Sequence, residues 1–316
     1  MDWMKALKQV SPFSSSGAEK AKRAVFGRLK QNKRLQSFMQ EHPHIPLSTY
    51  WRSLSNVGQY VTEKTACDNC RGLEGCSNLI KGHSPELIEY NSYLDLQMKP
   101  CRFQLADEEA KRRSSLIQCQ QIPSDIREAT FETFALEAKR AKAFQAALHF
   151  CIPFREGKTT KGLYLYGPFG VGKSYLAGAI MNELAFYGVS TLMIHTSALF
   201  SEMKNAISQN GQLISEKLET VKTVPLLILD DIGAESLTPW IRDDILGVIL
   251  QYRMTEKLPI IFTSNLTLDE LEEYFSNTPK GGEELLKGKR IMERIKHFVQ
   301  PIYVDGVNRR SENFTT

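Results

Sequence analysis

Eight consecutive residues, Gly167, Pro168, Phe169, Gly170, Val171, Gly172, Lys173 and Ser174, carry the clearest chemistry in this sequence. They spell G-x-x-x-x-G-K-S between a short apolar strand over 162–167 and an apolar helix-forming stretch that starts at Tyr175. The three glycines let the backbone wrap a phosphate with its N–H groups, helped by the positive end of the following helix. Lys173 is suited to neutralise β- and γ-phosphates, and Ser174 to ligate Mg2+. The structural alternative is a glycine-rich turn that only joins strand to helix, and the strand–loop–helix context weighs against it.

A second group of polar residues follows an aliphatic run. Leu226, Leu227, Ile228 and Leu229 read as a strand buried on both faces, ending in Asp230 and Asp231. In an open parallel sheet the carboxyl ends of strands face the ligand crevice. Asp230 is then placed to hold Mg2+ through water, and Asp231 to polarise an attacking water. Two further strands fit the same sheet, 191–195 and 259–265. The latter ends in Thr263, Ser264 and Asn265, so Asn265 would emerge beside the γ-phosphate, although a strand-end Asn also suits a turn. A fifth strand is expected near 300–304, followed by Arg309 and Arg310. These elements predict an α/β fold, a P-loop parallel sheet with helices on both faces.

Four of the six cysteines fall in one window: Cys67, Cys70, Cys76 and Cys101, with His83 among them. In a reducing compartment, clustered cysteines argue for metal or redox chemistry rather than disulfides. A Cys-x-x-Cys turn supplies two thiolates, and a closed tetrahedral Zn2+ site needs two more from a distant segment. Cys101 is the natural distant partner; Cys76 and His83 compete for the fourth position. The reading is a structural zinc in a small helical domain that has little core of its own. Cys119 and Cys151 read as buried apolar residues.

The chain has 316 residues, 42% of them hydrophobic and 24% charged, which suits roughly two globular domains. No apolar run approaches a membrane span, and the first residues lack a signal peptide's pattern, so a cytoplasmic protein without a membrane partner is expected. The net charge of +4 is unevenly spread. Residues 1–60 hold ten Lys/Arg against three Asp/Glu, leaving the remainder mildly acidic. That excess is either the solvated face of an amphipathic helix, with Val25 and Leu29 on the apolar side, or an arm for nucleic acid or an acidic surface. A charged run and glutamines over 106–123 read as a linker. The expected organisation is a zinc-binding domain over 1–105, the linker 106–123, and an ATPase domain over 124–316.

Taken together, these motifs resemble the AAA+ ATPases, with 167–174 as Walker A, 226–231 as Walker B and Asn265 as sensor 1. Within that class, residues 122–134 and 229–235, preceded by a basic helix and a Cys/His cluster, are similar to the bacterial replicative-helicase loaders. The resemblance implies ATP as ligand and a slow ATPase activity. It implies binding to the hexameric replicative DNA helicase, contact with single-stranded DNA, and self-association through the AAA+ domain. Carried over residue by residue, it makes Arg294 the arginine finger, with Arg290 second, and either Arg309 or Arg310 sensor 2. It also directs 198–223 toward a DNA path, with Lys204, Lys217 and Lys222 as possible phosphate contacts. Most AAA+ ATPases have Glu where Asp231 stands, and the shorter carboxylate suits a timer better than a fast motor. The rival readings are a transposition-type regulatory ATPase, which the cysteine cluster disfavours, and an adaptor that binds nucleotide without turnover.

Overall fold

The computed structural model describes residues 15–209, 211–278 and 282–309. It divides into two compact units, Met1–Lys111 and Arg112–Thr316. In the first, helices α1 (Ser15–Leu29), α2 (Lys33–Glu41), α3 (Leu47–Arg52) and α4 (Leu54–Asp68) precede an antiparallel hairpin of β1 (His83–Tyr90) and β2 (Tyr93–Pro100). Apolar positions at helical spacing, Val25, Leu29, Leu35 and Phe38, close over Tyr50, Val57, Leu87 and Leu94. Lys20, Lys22 and Arg23 stay outside this core, as a solvated helix face requires.

The expected small helical domain therefore contains a hairpin as well, and the hairpin rearranges the cysteines. His83 lies opposite Pro100, and the Cys101 N–H donates to the Gly82 carbonyl at 2.7 Å. Even so, among the described residues no three His, Cys, Asp or Glu side chains form a group that could hold a metal. The tetrahedral set expected from Cys67, Cys70, Cys76, His83 and Cys101 is thus not assembled. A side-chain amide and two peptide groups partner the Cys67, Cys76 and Cys70 sulfurs. Asn78 Nδ2 donates to Cys67 Sγ, the Gly82 N–H to Cys76 Sγ, and Cys70 Sγ to the Gly72 carbonyl. His83 Nδ1 lies 3.0 Å from the Lys81 carbonyl.

Residues 106–123, expected as a linker, contain the division between the two units and carry regular structure. Most of them continue α5 (Arg102–Leu116), and β3 (Ile117–Gln120) then joins the main sheet. Glu and Lys/Arg are good helix formers, so a charged run alone does not distinguish a solvated helix from a linker. The second unit continues with a helical turn at Ser124–Arg127, then α6 (Ala141–Cys151), β4 (Gly162–Tyr166), α7 (Lys173–Phe186) and β5 (Thr191–His195). Next come α8 (Thr196–Gln209), α9 (Gly211–Thr223), β6 (Leu226–Asp230), a π-helical turn at Ile241–Leu246 and α10 (Gly247–Thr255). The chain closes with β7 (Ile260–Ser264), α11 (Leu268–Ser276), a short β8–β9 ladder (Asn277–Thr278, Gly282–Glu283), α12 (Leu285–Phe298) and β10 (Val299–Tyr303).

Six parallel strands form the sheet in the order β10-β4-β7-β6-β5-β3. Alternating residues of each strand enter different cores. Leu163, Leu165, Leu226 and Ile228 pack with α6 and α7, whereas Tyr164, Leu227 and Leu229 pack on the opposite face. Burial on both faces is why these strands read as continuous aliphatic runs. No described helix is long and apolar enough to cross a membrane.

Candidate nucleotide site

The site is assembled at the carboxyl ends of β4, β5, β6 and β7. Gly167, immediately after β4, has φ 148°, and a Cβ there would lie 2.1 Å from the Val304 carbonyl oxygen. Gly172 has φ 96° and caps α7 at its N-terminus. Side chains at these two positions would strain the backbone or clash, so the loop can close only with glycine. Val171 is fully buried and anchors the loop, while Phe169 is 64% exposed at its tip. Tyr175 donates its hydroxyl to Thr133 Oγ1 at 2.7 Å, tying α7 to the segment that leads into the domain.

Lys173 is buried, and its Nζ donates to the Gly167 carbonyl (2.9 Å), the Pro168 carbonyl (2.7 Å) and Asn265 Oδ1 (2.7 Å). Asn265 in turn donates through Nδ2 to Asp231 Oδ1 at 2.8 Å. One amide thus bridges the lysine and the carboxylate. The sheet order explains this contact, because β7 lies between β4, which carries the lysine loop, and β6, which carries the carboxylates.

Thr263 organises the two aspartates. Its Oγ1 donates to Asp230 Oδ1 at 2.6 Å and accepts the Asp231 N–H at 2.8 Å. Burial pushes the Asp230 carboxyl up from its ordinary value, and hydrogen bonds from Thr263 and Ser174 oppose the rise. A divalent cation would favour the charged form of this carboxylate. Asp231 adopts φ 58°, a left-handed conformation unusual for a residue with a side chain. His195, at the end of β5, places Nε2 3.9 Å from Asp231 Oδ2, and its Nδ1 lies 2.8 Å from Ser197 Oγ.

Arg309 approaches the loop from the C-terminal segment. Its N–H donates to the Gly170 carbonyl, and Nη2 pairs with Glu137 Oε1 at 2.6 Å, holding the Glu137 carboxyl below its ordinary value. Arg310 lies outside the described residues. Arg140 is fully buried, with its guanidinium over the Phe134 ring and Nη2 donating to the Val307 carbonyl. Arg294 is not part of this cluster. Its Nη1 donates to the Gly247 carbonyl at 3.0 Å, and it borders a cleft of about 490 Å3 shared with Lys222 and Tyr252. Arg290 is exposed on the same helix. The loop, the Asp pair and Asn265 therefore come together, while the two finger candidates stand apart.

Thr263, His195, Glu137 and Arg140 were not singled out from the sequence. Thr263 and His195 carried a usable signal, since both are polar residues near the carboxyl end of a parallel strand. Arg140 carried none, because it is an arginine beside an ordinary amphipathic helix until the C-terminal segment folds over it. The lysines proposed for a DNA path are engaged within the chain. Lys204 donates to the Ser236 carbonyl, Lys217 pairs with Glu202, and Lys222 pairs with Glu219.

Fold and site together define a P-loop ATP-binding protein of the AAA+ class. Residues 91–313 match the family described as IstB-like ATP binding protein, and residues 4–98 match the primosomal protein DnaI N-terminus. The chain is 37% identical over 278 residues to the replicative helicase loader DnaI of Bacillus subtilis, covering 87% of this chain and 89% of that protein. Over 53% of its length it is 27% identical to the replicative helicase loader DnaC of Escherichia coli, covering 62% of that protein. A crystal structure of DnaI superposes with a TM-score of 0.54 at 44% identity, covering 63% of this chain and all of that one. A putative primosome component from Streptococcus pyogenes gives 0.50 at 37% identity, covering 63% and 98%. The chain belongs to the DnaI family of replicative helicase loaders.

Proposed function

We propose that this protein is an ATP-dependent loader that binds the hexameric replicative DNA helicase and helps place it on single-stranded DNA. The observation that carries this reading is that residues 4–98 match the primosomal protein DnaI N-terminus, ahead of an ATP-binding half matched by residues 91–313, and that the 37% identity to a helicase loader runs over 87% of the chain. A transposition-type ATPase would account for the second match alone. Co-elution with the replicative helicase on a sizing column is the test. Absence of a complex, with and without ATP, would sink the loader reading.

The same proposal covers ATP hydrolysis. The glycine loop and α7 N-terminus would hold the phosphates, with Lys173 released from the loop carbonyls toward them. Ser174 and Asp230 would hold Mg2+, which offsets phosphate charge when bound. Asp231, oriented by Asn265 and Thr263, would accept hydrogen bonding from the attacking water. Arg309 would sense the bound nucleotide, with Arg310 the alternative, and Arg294 would reach a neighbouring subunit's γ-phosphate during self-association, with Arg290 second. Slow turnover fits the short Asp231 side chain. An adaptor that binds ATP without hydrolysis is the competing reading, and steady phosphate release lost in Lys173→Ala would exclude it.

We also propose zinc binding by Cys67, Cys70, Cys101 and one of Cys76 and His83. Support comes from the donor chemistry, four free thiols and an imidazole within one short stretch of chain. Metal analysis of protein purified without chelator should find one zinc per chain; finding none would remove the site.

A further inference from the structure

A second cleft, of about 400 Å3, opens between α6 and the edge strand β10. Thr160 and Lys161, which precede the first residue of β4, form part of its wall. The glycine loop follows the last residue of β4, so the two sites are separated by the length of a five-residue strand, roughly 16 Å. The cleft is not part of the nucleotide site.

Its lining is one-sided in charge. Lys142, His149 and Lys161 face it, with Gln145, Thr160 and Gln300 between them, and no acidic residue lines it. Lys142, Gln145 and His149 fall at i, i+3 and i+7 on α6, so one helix face supplies three of these groups. Lys142 and Lys161 are exposed and pair with no carboxylate among the described residues. This contrasts with Lys204, Lys217 and Lys222, whose ammonium groups are held by contacts within the chain. Cations gathered at a concave surface without counter-charges focus a positive potential there.

We propose that this cleft is a contact for the phosphodiester backbone of single-stranded DNA, an inference that rests on the loader reading above. Two features select that ligand. The donors extend along about 10 Å of helix, more than one isolated phosphate occupies. The cleft's aromatic residue, Phe150, is buried in the core and presents no free ring for stacking, so contact is to the backbone and independent of base sequence.

The test is binding of a fluorescent oligothymidylate to the full chain with ATP, by anisotropy over a series of salt concentrations. Removing two phosphate contacts in K142A/K161A should make the slope of log affinity against log salt shallower by about 1.4. The conservative variant K142R/K161R should keep the native slope. Both positions are exposed, and the alanine variant should still co-elute with helicase. An alanine variant with native affinity and slope overturns the cleft while leaving the loader reading in place. A native chain that binds no oligothymidylate also overturns the cleft, and the loader reading is then judged separately by helicase co-elution.

Discussion

Glu235 should make the stability of the ATP-binding unit depend on pH near neutrality. This side chain follows the Asp230–Asp231 pair on a loop that turns back on itself. Its Oε2 accepts the N–H groups of Gly233 (3.2 Å) and Ala234 (3.0 Å), while Oε1 is buried with no hydrogen-bond partner. Burial pushes the carboxyl from 4.5 up to about 7, against the lowering effect of those hydrogen bonds. The folded value lies above the unfolded one, so the folded chain holds its proton longer. Stability is therefore undiminished by this group below about pH 4.5, falls as pH rises toward 7, and levels off above that. The size of the fall is about 3 kcal/mol, from 1.36 kcal/mol for each tenfold change in proton affinity. Glu235→Gln keeps an oxygen for the two N–H groups and cannot ionise. Urea unfolding of both proteins between pH 5 and 8.5, followed by circular dichroism, should show the variant more stable at pH 8 by up to about 3 kcal/mol and the difference vanishing toward pH 5. Parallel pH profiles would refute the burial argument.

Lys173→Ala should lose nucleotide binding, measured with a fluorescent ATP analogue, because no other side chain of the loop carries a positive charge. Asn265→Ala breaks the bridge between Lys173 and Asp231, and it should lower turnover by about a hundredfold with nucleotide affinity nearly unchanged. Arg294→Ala should lower turnover by about a thousandfold, and mixing it with Lys173→Ala should restore part of the activity, since each chain then supplies what the other lacks. Failure of the mixture to recover would place Arg294 outside the chemistry. Arg253→Ala should destabilise the second unit by about 4 kcal/mol in denaturant unfolding, because the buried guanidinium donates to the carbonyls of Val221, Lys222, Val224 and Pro259.

Much of this protein is written locally in its sequence. The glycine loop, the strands over 191–195 and 226–230, and the helix after Lys173 each follow from residue type and spacing within about a dozen positions, since buried parallel strands must be aliphatic and a phosphate loop must be glycine-rich. The fold class follows from the same alternation of elements. What the sequence left open depends on long-range pairing. Only the strand order places β7 beside both β4 and β6, and so lets Asn265 touch Lys173 and Asp231 together. Similarly, only the register of β5 against β6 sets His195 beside Asp231. The charged stretch before Ile117 became helix, and Ile117–Gln120 became strand because β3 completes an edge of the sheet, a gain that no local pattern encodes. Cysteine spacing named the candidate ligands, but where each thiol points was decided by the turn after α4 and the β1–β2 hairpin. Local propensity acts over a few residues, whereas a site is a meeting of side chains distant in sequence, and tertiary packing alone determines which of them meet.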